Sequence, residues 1–467
     1  MVVFSFLATL WRSKMSFTRR AFMLTSALIT SALVSFPQAA IADSEEFSKW
    51  VDTVKAQEGG KTIRILGLSH PASESMKAMT PEFEKATGIN VEWEIVGSGE
   101  ILSKQFLAQT AGESSYDVYM VKGTALAEYD TKNVLVELSS RLEATNEYLP
   151  EYDFEDIHVA YRSGLGEVHG NTIAVPIAGE TFFLSYRKDL FEKYGKTPPQ
   201  TMDELLEAAK FFHEKEPGLY GISMRAETGR TLALTWEVFN PAFGGAIVDQ
   251  ANWDVKTDSP ATIRSLKYLL ELLAYAPPDI ETYSWDAAVS AYAAGKTAMW
   301  LDATSLQSWL VDSDKSKVVG KIGYVAPPEG PEGRFGPVGG WSLGLPSTGT
   351  QADAGWAFIV WMTSKEKALE AFQKGGVPSR LSVLQDPAFA DADPEFASAL
   401  KDSLDAAGNL ITSGRRWIPA TSESTKLHKA AGYWAGQALL KKMTVEEAMK
   451  AAIPQLEEIT AKIKSQE

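Results

Sequence analysis

Residues 62–96 read TIRILGLSHPASESMKAMTPEFEKATGINVEWEIV, and the order of segments in this stretch decides the fold. Residues 62–68 are an apolar-rich run bounded by Gly59-Gly60 and Pro71, which predicts a strand. Residues 73–86 carry Met76, Met79 and Phe83 at helical spacing and stop at Gly88, which predicts a helix. Residues 89–96 read as a second strand. Gly97-Ser98-Gly99 then breaks the chain before a helix through Leu102, Phe106 and Leu107, and residues 116–121 give a third short strand. Strand-helix-strand-helix-strand within about sixty residues requires parallel pairing through right-handed crossovers. Ligands of such open sheets sit beyond the carboxyl ends of the strands. Those ends are Ser69-His70, Gly97-Ser98-Gly99-Glu100 and Lys122-Gly123-Thr124.

The α/β alternation continues outward from this unit. Residues 172–176 and 181–186 are strand-like and are expected to join through Ala178-Gly179-Glu180. Thr201-Met202-Asp203-Glu204 matches a capping box, ahead of a helix that buries Leu205, Ala208, Ala209 and Phe212. Ser259-Pro260 supplies a cap oxygen and a first helical residue without an N–H. Residues 297–301 form a further strand, and residues 394–464 are almost entirely of helical pattern.

The first forty-two residues read as an export signal. Lys14, Arg19 and Arg20 precede an uncharged apolar stretch at 21–36, and Ala40-Ile41-Ala42 is a small-x-small cleavage site. Thr18-Arg19-Arg20-Ala21-Phe22-Met23 resembles the twin-arginine motif. The apolar stretch is shorter than the roughly 20 residues that cross a bilayer. The sequence contains no cysteine, which excludes disulfides, thiolate metal sites and a Cys nucleophile. The five His, at 70, 158, 169, 213 and 428, lack zinc-ligand spacing, so neither a metal nor a cofactor is expected. The full chain carries a net charge of −15, and loss of the four basic residues before Asp43 leaves −19. That balance argues against nucleic acid as a partner.

A series of landmarks runs from residue 63 to the end. Phe83-Glu84-Lys85-Ala86-Thr87-Gly88-Ile89 is followed by Val175-Pro176, Tyr186-Arg187-Lys188-Asp189-Leu190-Phe191 and Pro199-Gln200-Thr201-Met202-Asp203-Glu204-Leu205. Phe243-Gly244-Gly245, Asp258-Ser259-Pro260, Ala293-Ala294-Gly295-Lys296-Thr297-Ala298-Met299, Gly339-Gly340-Trp341 and Gly375-Gly376-Val377-Pro378-Ser379-Arg380 complete it. In order and spacing the chain resembles the extracellular solute-binding proteins of ABC importers, in the maltose-binding-like carbohydrate group. The resemblance implies an α/β, two-lobed periplasmic binding protein fold with three hinge crossings and a helical C-terminal region. The crossings would lie near Gly179-Glu180, Val338-Gly339 and Val377-Pro378. Lobe 1 would be residues 43–179 plus 339–377, and lobe 2 residues 180–338 plus 378–467. It further implies a non-enzymatic periplasmic monomer that captures a carbohydrate and delivers it to the permease subunits of an importer.

Sugars present hydroxyl edges and apolar C–H faces, so their sites combine stacking aromatics with carboxylates, amides and cations. Trp341, after the double glycine at a crossing, is the first stacking candidate, and Trp417 a further one. Trp236 and Asn240 lie one turn apart and share a helix face. His70 and Ser98 stand at strand ends, and Glu180 lies at the first crossing, where the resembled group often places a sugar-binding carboxylate. Asp302 ends a strand, where it would bind ligand or cap the next helix. Lys122 and Arg380, if both face the cleft, would suit an anionic sugar derivative such as a uronate or sulfonated sugar; otherwise Lys122 is surface and Arg380 pairs with an acid. A neutral sugar, glycoside or polyol is the first expectation. The rival class is a glycosidase using Glu180 and Asp302 as its two carboxylates.

Overall fold

The computed structural model describes residues 44–97, 99–112 and 115–465. The expected export signal and Ser98 lie outside the described residues. From Asp43 the chain forms one compact unit. Among the described residues no helix is long and apolar enough to cross a membrane.

The strands are β1 (Thr62–Leu68), β2 (Asn90–Val96), β3 (Val118–Lys122), β4 (Glu167–Val168), β5 (Asn171–Thr172), β6 (Val175–Glu180), β7 (Phe182–Arg187), β8 (Tyr220–Ser223), β9 (Thr297–Ala303), β10 (Ile322–Val325) and β11 (Gly339–Gly344). They build two main sheets, ordered β2-β1-β3-β11-β6 and β10-β7-β9-β8, with β4 and β5 as a separate hairpin. Each sheet is the centre of one α/β lobe.

The opening stretch folds as its pattern requires. β1 and β2 pair in parallel from Thr62↔Asn90 to Leu68↔Val96, and β1 also runs parallel to β3. The crossover helix Pro71–Thr87 ends at Gly88, whose left-handed conformation (φ 72°) returns its N–H to Glu84. Alternation along the strands separates two apolar layers. Ile63, Ile65 and Val118 belong to one layer, while Leu66, Leu68 and Tyr119 belong to the other. Against the first layer Phe83 packs edge-on to Phe358 and Trp361 of the helix Ala352–Thr363.

The topology brings strand ends to one place. β11 runs antiparallel to both β3 and β6, so its start lies beside their carboxyl ends. In the second sheet β7 is antiparallel to β9 and β9 parallel to β8, so the start of β7 lies beside the ends of β9 and β8. The expected connector Ala178-Gly179-Glu180 is instead the second half of β6, and the chain passes between sheets at Thr181 alone. Strand pairing wins there because Gly339 and Gly340 of β11 supply partners for Glu180 and Gly179. A second passage lies between β10 and β11.

The helical C-terminal region serves the second sheet. Helix Pro394–Thr412 packs Phe396 against Phe183 and Tyr324. Helix Ser424–Leu439 crosses helix Arg230–Phe239 at Gly432, where a β-carbon would stand 1.8 Å from the Gly229 carbonyl oxygen. This close approach seats the amino end of the second helix.

Gly340 is the most constrained point of the first sheet. Its φ is 134°, and an added β-carbon would lie 2.0 Å from the Ala178 carbonyl oxygen. The register shifts between Trp341 and Ser342 immediately after it. Gly340→Ala should therefore cost about 3 kcal/mol or more of stability, read by urea unfolding.

Candidate functional site

The converging strand ends enclose a cavity of about 410 Å³. His70, Lys122, Glu180 and Trp341 of the first lobe line it, facing Arg225 and Arg230 of the second. Phe182, Trp285 and Trp417 add aromatic wall.

The antiparallel register of β3 and β11 sets Trp341 opposite Lys122, and cross-strand neighbours share a face. The Lys122 ammonium consequently lies 6.0 Å from the centre of the Trp341 ring, and the His70 ring 5.9 Å from it. His70 caps helix Pro71–Thr87 by accepting the Ala72 N–H at Nδ1 (3.2 Å). That bond leaves Nε2 to donate to Glu180 Oε1 at 2.9 Å. Burial pushes the Glu180 carboxyl up, but His70, the Ser305 hydroxyl and the Arg225 charge outweigh it and hold the group below the usual carboxylate range. One turn along the same helix, Glu74 meets Lys315 of the second lobe at 3.2 Å.

The second lobe contributes a fixed cation and a free one. Arg225 follows β8 and donates from Nε to Asp302 Oδ1 and Oδ2 (2.8 and 2.9 Å), with Phe182 5.1 Å beneath its guanidinium. Arg230 opens helix Arg230–Phe239 and makes no hydrogen bond or ion pair among the described residues; its Nε is buried without a partner. Burial and the neighbouring Arg225 charge push Arg230 below its ordinary value. Among the described residues Lys122 has neither a hydrogen bond nor an ion pair from its ammonium, which lies over the Trp341 ring. Burial, Arg230 and Arg225 lower it to about 7, against a smaller raising effect of Glu180.

Four of the sequence-derived candidates thus meet in one cavity: His70, Lys122, Glu180 and Trp341. Trp417, with its indole N–H on the Leu234 carbonyl, lines it as well. Four others do not line it. Asp302 is fully buried behind Arg225 and accepts the N–H of Ala303; it caps no helix, and its acid–base role in a glycosidase pair is closed by the ion pair. Trp236 and Asn240 do share a face, but that face points into helix Pro260–Leu273. Trp236 donates to the Ser265 hydroxyl at 2.8 Å, and the same hydroxyl donates to Asn240. Arg380 is 1% exposed and is bonded to the Thr363 and Asp153 carbonyls and to Asp156, beside Tyr152. The pairing reading, not the cleft reading, describes it. Ser98 lies outside the described residues.

Arg225, Arg230 and Trp285 were not anticipated. The rule of strand carboxyl ends does reach Arg225 once Tyr220–Ser223 is recognised as a strand.

Comparison with known proteins agrees with this geometry. The profile of the bacterial extracellular solute-binding proteins matches residues 69–369. The chain belongs to this family. A probable amino-acid ABC transporter periplasmic-binding protein of Sinorhizobium fredii is 27% identical over 356 residues, covering 73% of this chain and 78% of that one. The mannitol-binding protein of Pseudomonas aeruginosa is 26% identical over 360 residues, covering 74% and 80%. The crystal structure of an ABC transporter solute-binding protein from Agrobacterium vitis with bound D-mannitol superposes with a TM-score of 0.76. It is 25% identical, over 86% of this chain and 99% of that one. The fold is that of the two-lobed periplasmic binding proteins.

Lys122 links the site to pH. Its folded value of about 7 lies below the unfolded value of 10.5, so the folded state binds fewer protons between them. Stability from this group is therefore lowest below pH 7 and rises as pH climbs toward 10.5. Lys122→Met should stabilise the ligand-free protein at pH 6 by on the order of 1–2 kcal/mol and flatten that rise, as read by melting curves across pH.

Proposed function

We propose that this protein is the periplasmic solute-binding component of an ABC importer. It captures a carbohydrate, meaning a sugar, glycoside or polyol, between its two lobes and delivers it to the membrane permease. The observation that carries the reading is the cavity itself, lined by Trp341, Trp285 and Trp417 beside hydrogen-bonding side chains of both lobes. Trp341 and Trp285 suit the C–H faces of a sugar ring, while Glu180 and Arg225 suit its hydroxyl edges. Polyol binding by relatives of known specificity supports the same ligand class.

Capture works by differential binding. A ligand that touches both lobes stabilises their approach, and one that touches a single lobe does not. Chemistry is not required of any residue in the cavity. Asp302 is committed to Arg225 and Glu180 to His70, so these two carboxylates are not available as a glycosidase pair. The export signal expected over residues 1–42 and the acidic chain fit a monomer free in the periplasm, with no nucleic acid partner.

A thermal-shift panel of sugars, oligosaccharides and polyols, with hydrolysis followed in parallel, tests this reading. A clear upward shift without turnover is expected for at least one member, because a ligand of the folded state stabilises it by mass action. Turnover, or no shift across the panel, would overturn it. Trp341→Ala should weaken the responding ligand by roughly 1–3 kcal/mol in calorimetry, with the unfolding transition retained.

A further inference from the structure

The inner cavity carries more positive than negative charge. Lys122, Arg225 and Arg230 face Glu180, with Asp302 directly behind Arg225. Arg225 is neutralised by Asp302, and Glu180 is engaged by His70. Lys122 and Arg230 remain, from opposite lobes, without an acidic partner among the described residues. The two other acids of the lining, Glu227 and Asp286, are exposed at the rim and engaged by the hydroxyls of Thr231 and Ser284. Helix Arg230–Phe239 adds the positive end of its dipole, since its N-cap is Gly229 and offers no side chain to its first N–H groups.

A neutral hydroxyl does not resolve this arrangement. When the lobes approach and water leaves, two unpaired cations repel one another in a medium that screens them poorly. An oxyanion placed between them removes the repulsion and accepts charge-assisted hydrogen bonds from both. We infer that the carbohydrate captured here carries one negatively charged group, a carboxylate or a sulfonate, held between Lys122 and Arg230. The inference rests on the carbohydrate reading above and narrows it. Lys122, Arg225 and Arg230 set against Glu180 and Asp302 leave one net positive charge in the inner cavity, which matches a monoanion better than a phosphate ester, a dianion at neutral pH. Because the two cations come from different lobes, the anion is also the group through which binding draws the lobes together.

The test is calorimetry on the purified protein with matched sets: glucose and galactose, glucuronate and galacturonate, 6-deoxy-6-sulfoglucose, and glucose 6-phosphate. At least one uronate or the sulfosugar is expected to bind ~10-fold or more tightly than its neutral parent. Lys122→Met and Arg230→Met, both checked for a retained cooperative unfolding transition, should each remove most of that preference while sparing residual binding of the neutral parent. The preference should fall ~10-fold or more from pH 6 to pH 9 as free Lys122 loses its proton, and Lys122→Met should abolish that dependence. Neutral sugars binding as tightly as their anions would overturn the inference and leave the carbohydrate reading standing. Tightest binding of the phosphate ester would overturn the single-charge assignment. Binding of no member would overturn the inference and leave the carbohydrate reading to the wider panel of oligosaccharides and polyols, and sulfate or acetate competing as well as the sugar anions would show an adventitious anion site and overturn the inference.

Discussion

Strand β11 enters the first sheet antiparallel, between β3 and β6, on a backbone at Gly340 that a side chain would not permit. One wall of the cavity in the first lobe follows from that insertion. It sets Trp341 beside Lys122 and Gly339 beside Glu180. It also brings the chain back from the second sheet at the edge from which β6 leaves. A slip of one residue would turn Trp341 to the other face of the sheet and separate it from Lys122. The local irregularity after Gly340 is thus what lets one strand satisfy two neighbours and still present its first residues to the cavity.

Two pairs then fix polar groups before any ligand arrives. His70 holds Glu180 within the first lobe, and Asp302 holds Arg225 within the second. Buried pairs of this kind add little net stability, but the loss of one partner strands the other charge at a cost of about 3–5 kcal/mol. Their contribution here is geometric. Groups already held in place lose less freedom when a ligand is bound.

The fold was legible because it is written locally. Alternation in 62–68, helical spacing in 73–86 and the stop at Gly88 each act over a few residues. The cavity residues found from sequence, His70, Lys122, Glu180 and Trp341, all sit at ends of such segments. The residues misplaced or missed depend on distant contacts. Trp236 and Asn240 share a face, but only the packing of helix Pro260–Leu273 decides where that face points. Arg380 meets Asp156, 224 residues away along the chain. Arg225 and Arg230 follow a strand of four residues, too short to show a pattern, and an arginine after a short run reads as solvated.

The contact between Glu74 and Lys315 bridges the two lobes across exposed side chains. Both side chains are about half open to solvent, at 55% and 40%. Such a pair contributes ~0–1 kcal/mol and is screened over a Debye length of about 8 Å at physiological salt. At this point the lobes are tied weakly enough for dissolved ions to compete. Rising ionic strength weakens this tie. The ease with which the two lobes part is therefore set in some measure by the salt of the surrounding medium.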